Sequence, residues 1–86
     1  MTLADFLDPV TIKQIAELPV GWHTSADVAW SVGGDDPDAR RDVGRTLEAL
    51  YDDGRIQRMY VFNKGRPQPC FLVDNSLSEL TEELAR

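Results

Sequence analysis

Six basic side chains in the middle of the chain have the types and spacing best suited to binding an anion. They are Arg40, Arg41, Arg45, Arg58, Lys64 and Arg66. Arginine can hold a phosphate, or bind guanine O6 and N7 with two parallel hydrogen bonds, and the sequence does not separate these uses. Local ion pairs with neighbouring acids are the alternative. Exposed pairs of that kind contribute little, so they hardly explain three arginines within residues 40–45. For Arg55 and Arg58, structural pairing with Asp52 or Asp53 is an equal alternative to binding an anion.

The distribution of charge favours a docking role for this segment. The chain has a formal net charge of −6, which by itself argues against a nucleic-acid partner. Residues 40–66, however, carry seven bases and four acids, whereas residues 1–39 carry seven acids and one base. The potential at a docking surface matters more than the total charge, so the middle of the chain remains a candidate anion-binding segment.

The other reactive residues do not form a site by type or spacing. His23 is the single histidine and Cys70 the single cysteine, which is too few ligands for a zinc site and too few partners for nucleophilic catalysis. The acidic run at residues 35–38 lacks the calcium-loop pattern and is better explained by helix capping. We therefore expect no enzyme activity, no metal and no cofactor.

Length and composition predict one small soluble domain that spans residues 1–86. No apolar run approaches the roughly 18 residues that a membrane span requires. The amino terminus has no basic region followed by a long apolar region, so it does not resemble a signal peptide. Cys70 is expected to act as a small apolar residue in a strand. These features predict a cytoplasmic protein.

Four helices are predicted from capping residues and apolar periodicity. Asp8-Pro9, Thr24 and Asp36-Pro37 are candidate starts for the first three, and the third covers residues 37–53. Proline and glycine at residues 19–21 and glycines 33 and 34 separate them. Ser76 and Glu79 form a capping box that predicts a last helix over residues 76–86. Trp22 and Trp30 are expected to be core or half-buried.

A β-hairpin is predicted between the third and last helices. Residues 57–61 are expected to pair antiparallel with residues 68–72 across a turn at residues 63–66. Pro67 and Pro69 are two residues apart, so both missing amides lie on one side of the return strand. That strand is therefore predicted to be an edge. The fold class is mainly α with a β-hairpin, in the order α-α-α-β-β-α.

Residues 24–74 resemble the winged helix-turn-helix DNA-binding domain superfamily. The scaffold motif is residues 24–29 (TSADVA), the recognition-helix motif is residues 43–50 (VGRTLEAL), and residues 54–58 (GRIQR) lead into the wing. The resemblance implies that helix 37–53 enters the major groove of double-stranded DNA and that wing 56–73 lies on the backbone. The implied DNA-binding residues are Arg40, Arg41, Gly44, Arg45, Arg58, Lys64 and Arg66. Gly44 would permit close approach to DNA, or would merely allow tight helix packing.

The function that the resemblance implies is sequence-specific binding by a small transcriptional regulator. Binding is expected to depend on five cations, and their contact with about five phosphates predicts a log–log salt slope of about −4 to −5. The five are Arg40, Arg41, Arg45, Lys64 and Arg66. The alternative is a winged-helix adaptor that binds a protein partner without DNA. A homodimer is expected because one chain neutralises few phosphates, and Leu77, Leu80 and Leu84 form a stripe that would supply its interface. The same stripe could instead cover the chain's own core.

Overall fold

The computed structural model of the protein describes residues 8–84 and places seven elements along them. In chain order these are α1 (Pro9–Ala16), β1 (Gly21–Thr24), α2 (Ser25–Gly33), α3 (Pro37–Asp52), β2 (Arg58–Asn63), β3 (Arg66–Val73) and α4 (Asn75–Leu84). The predicted fold class and its order α-α-α-β-β-α are confirmed, with the short strand β1 added between the first two helices. The arrangement is compatible with winged-helix topology.

Polar caps start the first three helices where the sequence predicts. The side chain of Asp8 accepts a hydrogen bond of 3.0 Å from the Val10 amide. Thr24 accepts one of 3.1 Å from the amide of Asp27, and Asp36 accepts one of 3.0 Å from the amide of Asp38. Each bond satisfies a backbone donor that the first turn of a helix leaves without a partner.

The last helix starts differently from the prediction. Its first residue is Asn75, and the Asp74 carboxylate accepts a hydrogen bond of 2.9 Å from the Ser76 amide. The expected start at Ser76 is therefore wrong by one residue, because an aspartate just upstream is an equally good cap. Residues 85 and 86 of the expected helix lie outside the described residues.

The predicted hairpin is present in the predicted register. Val61 pairs with Gln68 and Met59 with Cys70, and the Leu72 amide donates to the Gln57 carbonyl at 3.0 Å. The two turn residues, Lys64 and Gly65, have φ angles of 54° and 77°. Positive φ at both central positions defines a type I′ turn, whose twist matches that of the two strands.

The return strand is central in the sheet, so the prediction that it is an edge is wrong. The strand order is β1-β3-β2, with both pairs antiparallel. The pairing of β1 with β3 ends at Thr24 and Cys70, so β1 does not reach Pro69 or Pro67. Pro67 and Pro69 lie opposite Phe62 and Tyr60, at positions where the backbone of β3 forms no hydrogen bonds with β2. The missing amides therefore cost the hairpin no hydrogen bond. The proline half of β3 therefore has one partner strand, and only its other half is covered on both sides.

One face of this sheet carries the apolar core, to which all four helices contribute. Phe71 and Val73 share that face by alternation and are 0% and 1% exposed. α3 buries one side against the core, where Val43, Thr46, Leu47 and Leu50 are inaccessible or nearly so. The remaining core side chains are Ile12, Ile15, Val28, Ile56, Leu77 and Leu80.

The leucine stripe of α4 is part of this core. Leu77 and Leu80 are 0% and 3% exposed, and Leu84 packs against the same cluster. α4 packs mainly on α1. This arrangement corresponds to the alternative in which the stripe covers the chain's own core, so a second copy would have to dock on another surface. Within residues 8–84, no helix has the length and apolar character needed to cross a membrane.

Candidate nucleic-acid interface

The solvent-facing side of α3 presents a short row of arginines. Because Val43, Leu47 and Leu50 point into the core, Arg41 and Arg45 point away from it on successive turns. Their side chains are 64% and 74% exposed. Glu48 follows on the next turn and is also exposed. The row thus runs along α3 toward the wing.

Arg41 and Arg45 have only weak local partners. Arg41 lies 3.6 Å from an oxygen of Asp38, and Arg45 lies 3.7 Å from an oxygen of Asp42. Both contacts are too long for a good hydrogen bond and both are exposed, so each is worth about 0–1 kcal/mol. A phosphate or a base edge can replace either acid at little cost.

Gly44 lies between these arginines and faces open space. A Cβ built at this position would meet no atom within 4 Å. The tight-packing explanation of this glycine is therefore wrong. Gly44 instead lines a shallow depression on the outer surface, together with Ser25, Arg45, Glu48, Ala49 and Asp52. The absent side chain lets another molecule approach the backbone of α3 closely.

Arg40 is engaged within the chain. Its Nη1 donates a hydrogen bond of 2.7 Å to the Gly34 carbonyl, and its guanidinium carbon lies 4.1 Å from the centre of the Trp30 ring. A Cβ on Gly33 would come within 2.7 Å of the Arg40 backbone nitrogen. Arg40 therefore joins the end of α2 to the start of α3, and its guanidinium is already occupied.

Both tryptophans are exposed, which corrects the expectation that they are core or half-buried. Trp30 is 57% exposed and Trp22 is 43% exposed. Trp30 provides a face on which Arg40 stacks, a cation–π contact that leaves the other face of the ring in solvent. Trp22 lies in β1, paired with Leu72 of the central strand.

Arg58 connects the wing to α3. Its Nη1 donates a hydrogen bond of 2.7 Å to Glu48 Oε2, and its side chain is 20% exposed. Its guanidinium carbon lies 3.8 Å from the centre of the Tyr51 ring and 5.2 Å from that of Tyr60. The alternative pairing with Asp52 or Asp53 is formed by Arg55, whose Nε lies 3.0 Å from Asp53 Oδ2, and not by Arg58. Arg58 is held by three side chains and positions the hairpin against the helix.

The wing tip carries the other two cations of the candidate site. Lys64 and Arg66 are exposed on either side of Gly65, and no acidic side chain among residues 8–84 forms an ion pair with them. Residues 56–73 contain three cations and no acid. By contrast, α3 has three arginines and four acids. The positive character of the surface therefore comes from the wing more than from the helix.

The single histidine and cysteine are both structural. His23 Nε2 lies 2.6 Å from the Pro19 carbonyl oxygen. Cys70 is a free, buried thiol. Among residues 8–84, no group of three or more His, Cys, Asp or Glu side chains is placed to hold a metal ion.

Comparison of the chain with protein families, curated proteins and solved structures gave no match.

Proposed function

We propose that the protein is a winged-helix binder of double-stranded DNA that acts as a transcriptional regulator by occupying its site. The observation that carries the proposal is the continuity of one surface. Arg41, Gly44 and Arg45 lie on the outer side of α3, and the Glu48–Arg58 pair joins that side to the acid-free wing.

The helix is suited to the major groove, which is wide enough to admit an α-helix. Residues near the amino end of a recognition helix reach base edges, and Arg41 and Arg45 are the fifth and ninth residues of α3. Gly44 removes the side chain between them, so the backbone can approach the bases. These two arginines are assigned to base edges or to the phosphates beside them.

The wing is assigned to the DNA backbone. Lys64 and Arg66 have no competing acid among the described residues, so their charges are available to phosphates. Arg40 and Arg58 are positioning residues in this proposal, because each is bound within the chain. Four cations therefore remain for DNA, which lowers the expected log–log salt slope to about −3 to −4.

Two copies on a palindromic site are part of the proposal. Four cations give weak binding, and doubling them on two half-sites raises affinity without new chemistry. We place the protein in the cytoplasm, where the unpaired thiol of Cys70 remains reduced.

A second candidate function is an adaptor that binds a protein partner. The charge of α3 favours it, because four acids on that helix accompany its three arginines. An adaptor of this kind would dock a basic partner on the acidic faces and would not bind a duplex.

A titration of labelled duplex DNA at two salt concentrations tests the proposal. Wild type is expected to bind at low salt with the slope given above. The double variant Arg41→Ala/Arg45→Ala is expected to bind more weakly, with a slope smaller in magnitude by about 2. Lys13→Ala is the matched control, since Lys13 is an exposed cation on α1. Equal binding by wild type and the double variant, or no binding at low salt, would favour the adaptor.

A further inference from the structure

The wing carries an exposed apolar strip that the core does not explain. Alternation along the hairpin places Tyr60, Phe62, Pro67 and Pro69 on the same face as Arg58, the face that carries the core further along the sheet. Phe62 is 78% exposed and Tyr60 is 53% exposed. The strip therefore begins where the core ends and extends beyond α3 to the tip of the hairpin.

Phe62 is the most exposed large apolar side chain among the described residues. It is two residues before Lys64 in the type I′ turn and lies directly opposite Pro67. The tight turn restricts the backbone after this position, and Pro67 restricts the backbone of the facing strand. The ring is therefore presented on a stiff support rather than on a loose loop.

The charges around the strip identify the kind of partner. Lys64 lies in the turn two residues after the ring, and Arg66 lies by alternation on the opposite face of the hairpin. Residues 56–73 contain no acid in a chain whose net charge is −6. An apolar ring at a hairpin tip that carries two cations and no acid is complementary to a polyanion that contains apolar planar groups. Duplex DNA has this chemistry, because its phosphates flank stacked bases.

We propose that Phe62 acts as a wedge that enters between two base pairs of the duplex bound by α3, unstacks that step and bends the DNA. Apolar side chains inserted from the minor groove kink DNA in this way, and the bend lets the duplex contact more protein surface. Lys64 and Arg66 hold the phosphates beside the opened step. Tyr60 lies on the same face two residues before Phe62, with its ring centre 5.2 Å from the Arg58 guanidinium carbon.

This inference rests on the proposed DNA binding and assigns it a mechanical consequence. If unstacking is required, a duplex with one mismatched pair is a better ligand than a matched one, since the mismatch lowers the cost of opening the step. A wing that lies only on the backbone would not distinguish the two duplexes.

The test uses two duplexes of about 30 base pairs that carry donor and acceptor dyes at their ends, one matched and one with a central mismatch. Wild type is expected to raise energy transfer by bending the DNA, and to bind the mismatched duplex about tenfold more tightly. Phe62→Ala is expected to lose the bend and the preference, and Phe62→Leu, which retains an apolar wedge, to keep part of both. Val20→Ala, at a side chain that is 74% exposed on another segment, is the matched control.

The outcomes separate the wedge from the DNA binding itself. If Phe62→Ala bends the DNA and prefers the mismatch as wild type does, the wedge is overturned, while the Arg41/Arg45 titration still decides the proposed function. If wild type binds neither duplex at low salt, both proposals fail. If Phe62→Ala lowers the mass of the free protein measured by light scattering, the ring belongs to a contact between copies and the wedge is overturned.

Discussion

Arg58 of the wing donates a hydrogen bond of 2.7 Å to Glu48 of α3, which links the hairpin to the outer surface of the helix. The same guanidinium stacks on Tyr51, one turn further along α3. The angle between helix and wing therefore depends on one arginine held by two consecutive turns of the helix.

We expect Arg58→Ala to lower the free energy of unfolding by about 1–2 kcal/mol, because it removes a charged hydrogen bond and a cation–π contact that are partly shielded from water. Urea denaturation measures this loss. Lys64→Ala is the control and should change stability by less than about 0.5 kcal/mol, since Lys64 is an exposed turn residue. A double-mutant cycle with Glu48→Gln should show a coupling of about 1 kcal/mol, and additive losses would contradict the link.

Gly33 and Gly44 are expected to respond to alanine with opposite signs. Gly33→Ala places a Cβ 2.7 Å from the Arg40 backbone nitrogen, so the junction of α2 and α3 must shift, at a cost of about 1–3 kcal/mol. Gly44→Ala adds a methyl group in open space within a helix and should stabilise the fold by about 0.5–1 kcal/mol. Thermal or urea unfolding of the pair measures both. Destabilisation by Gly44→Ala would contradict the open surface at that position.

Arg40 and Arg41 are neighbours in sequence with different expected roles. Arg40→Ala should lower the free energy of unfolding by about 1–2 kcal/mol, because it removes the bond to the Gly34 carbonyl and the stack on Trp30. Arg41→Ala should leave stability within about 0.5 kcal/mol and weaken DNA binding by about 1–3 kcal/mol if it reads a base. Denaturation and duplex titration of each variant at a temperature where both are folded separate the roles. A larger loss of affinity for Arg40→Ala would reverse the assignment.

Leu80 provides a test of where the α4 stripe is used. Leu80→Ala removes a side chain that is 3% exposed and should cost about 2–5 kcal/mol. Because the contact is made within one chain, the melting temperature of wild type should not depend on protein concentration through this surface. Leu80→Ala should therefore lower the melting temperature by the same amount at low and high micromolar concentration. A decrease in melting temperature that becomes larger at higher protein concentration would indicate that the stripe forms an interface between copies.

The helices and the hairpin could be predicted because their signals are local. Asp8, Thr24 and Asp36 cap the helices through bonds to residues two or three positions away, and the turn at Lys64 and Gly65 fixes the hairpin register. Strand β1 has only four residues and no alternating pattern, and it is a strand because it pairs with β3 almost fifty residues later. No local signal in the sequence carries that pairing.

The candidate site could be predicted in composition but not in detail. Residue type and spacing identified the basic segment, whereas the partner of each arginine depends on packing between elements. Arg40 meets Trp30 and Arg58 meets Glu48 only once α2, α3 and β2 are assembled. The exposure of Phe62 could not be predicted for a related reason, because an apolar residue in a strand is exposed or buried according to which elements pack over it.

The two prolines of β3 also affect how the protein behaves at high concentration. Among residues 8–84, no strand lies beside residues 66–69 of β3 on the side away from β2. Pro67 and Pro69 lie at the positions whose backbone nitrogens face that open side. A strand from another molecule that approached there would find no amide donors to pair with at either position. The hairpin tip is therefore protected along this side of β3 against the addition of a strand from another molecule. Phe62, Lys64 and Arg66 remain exposed for a ligand.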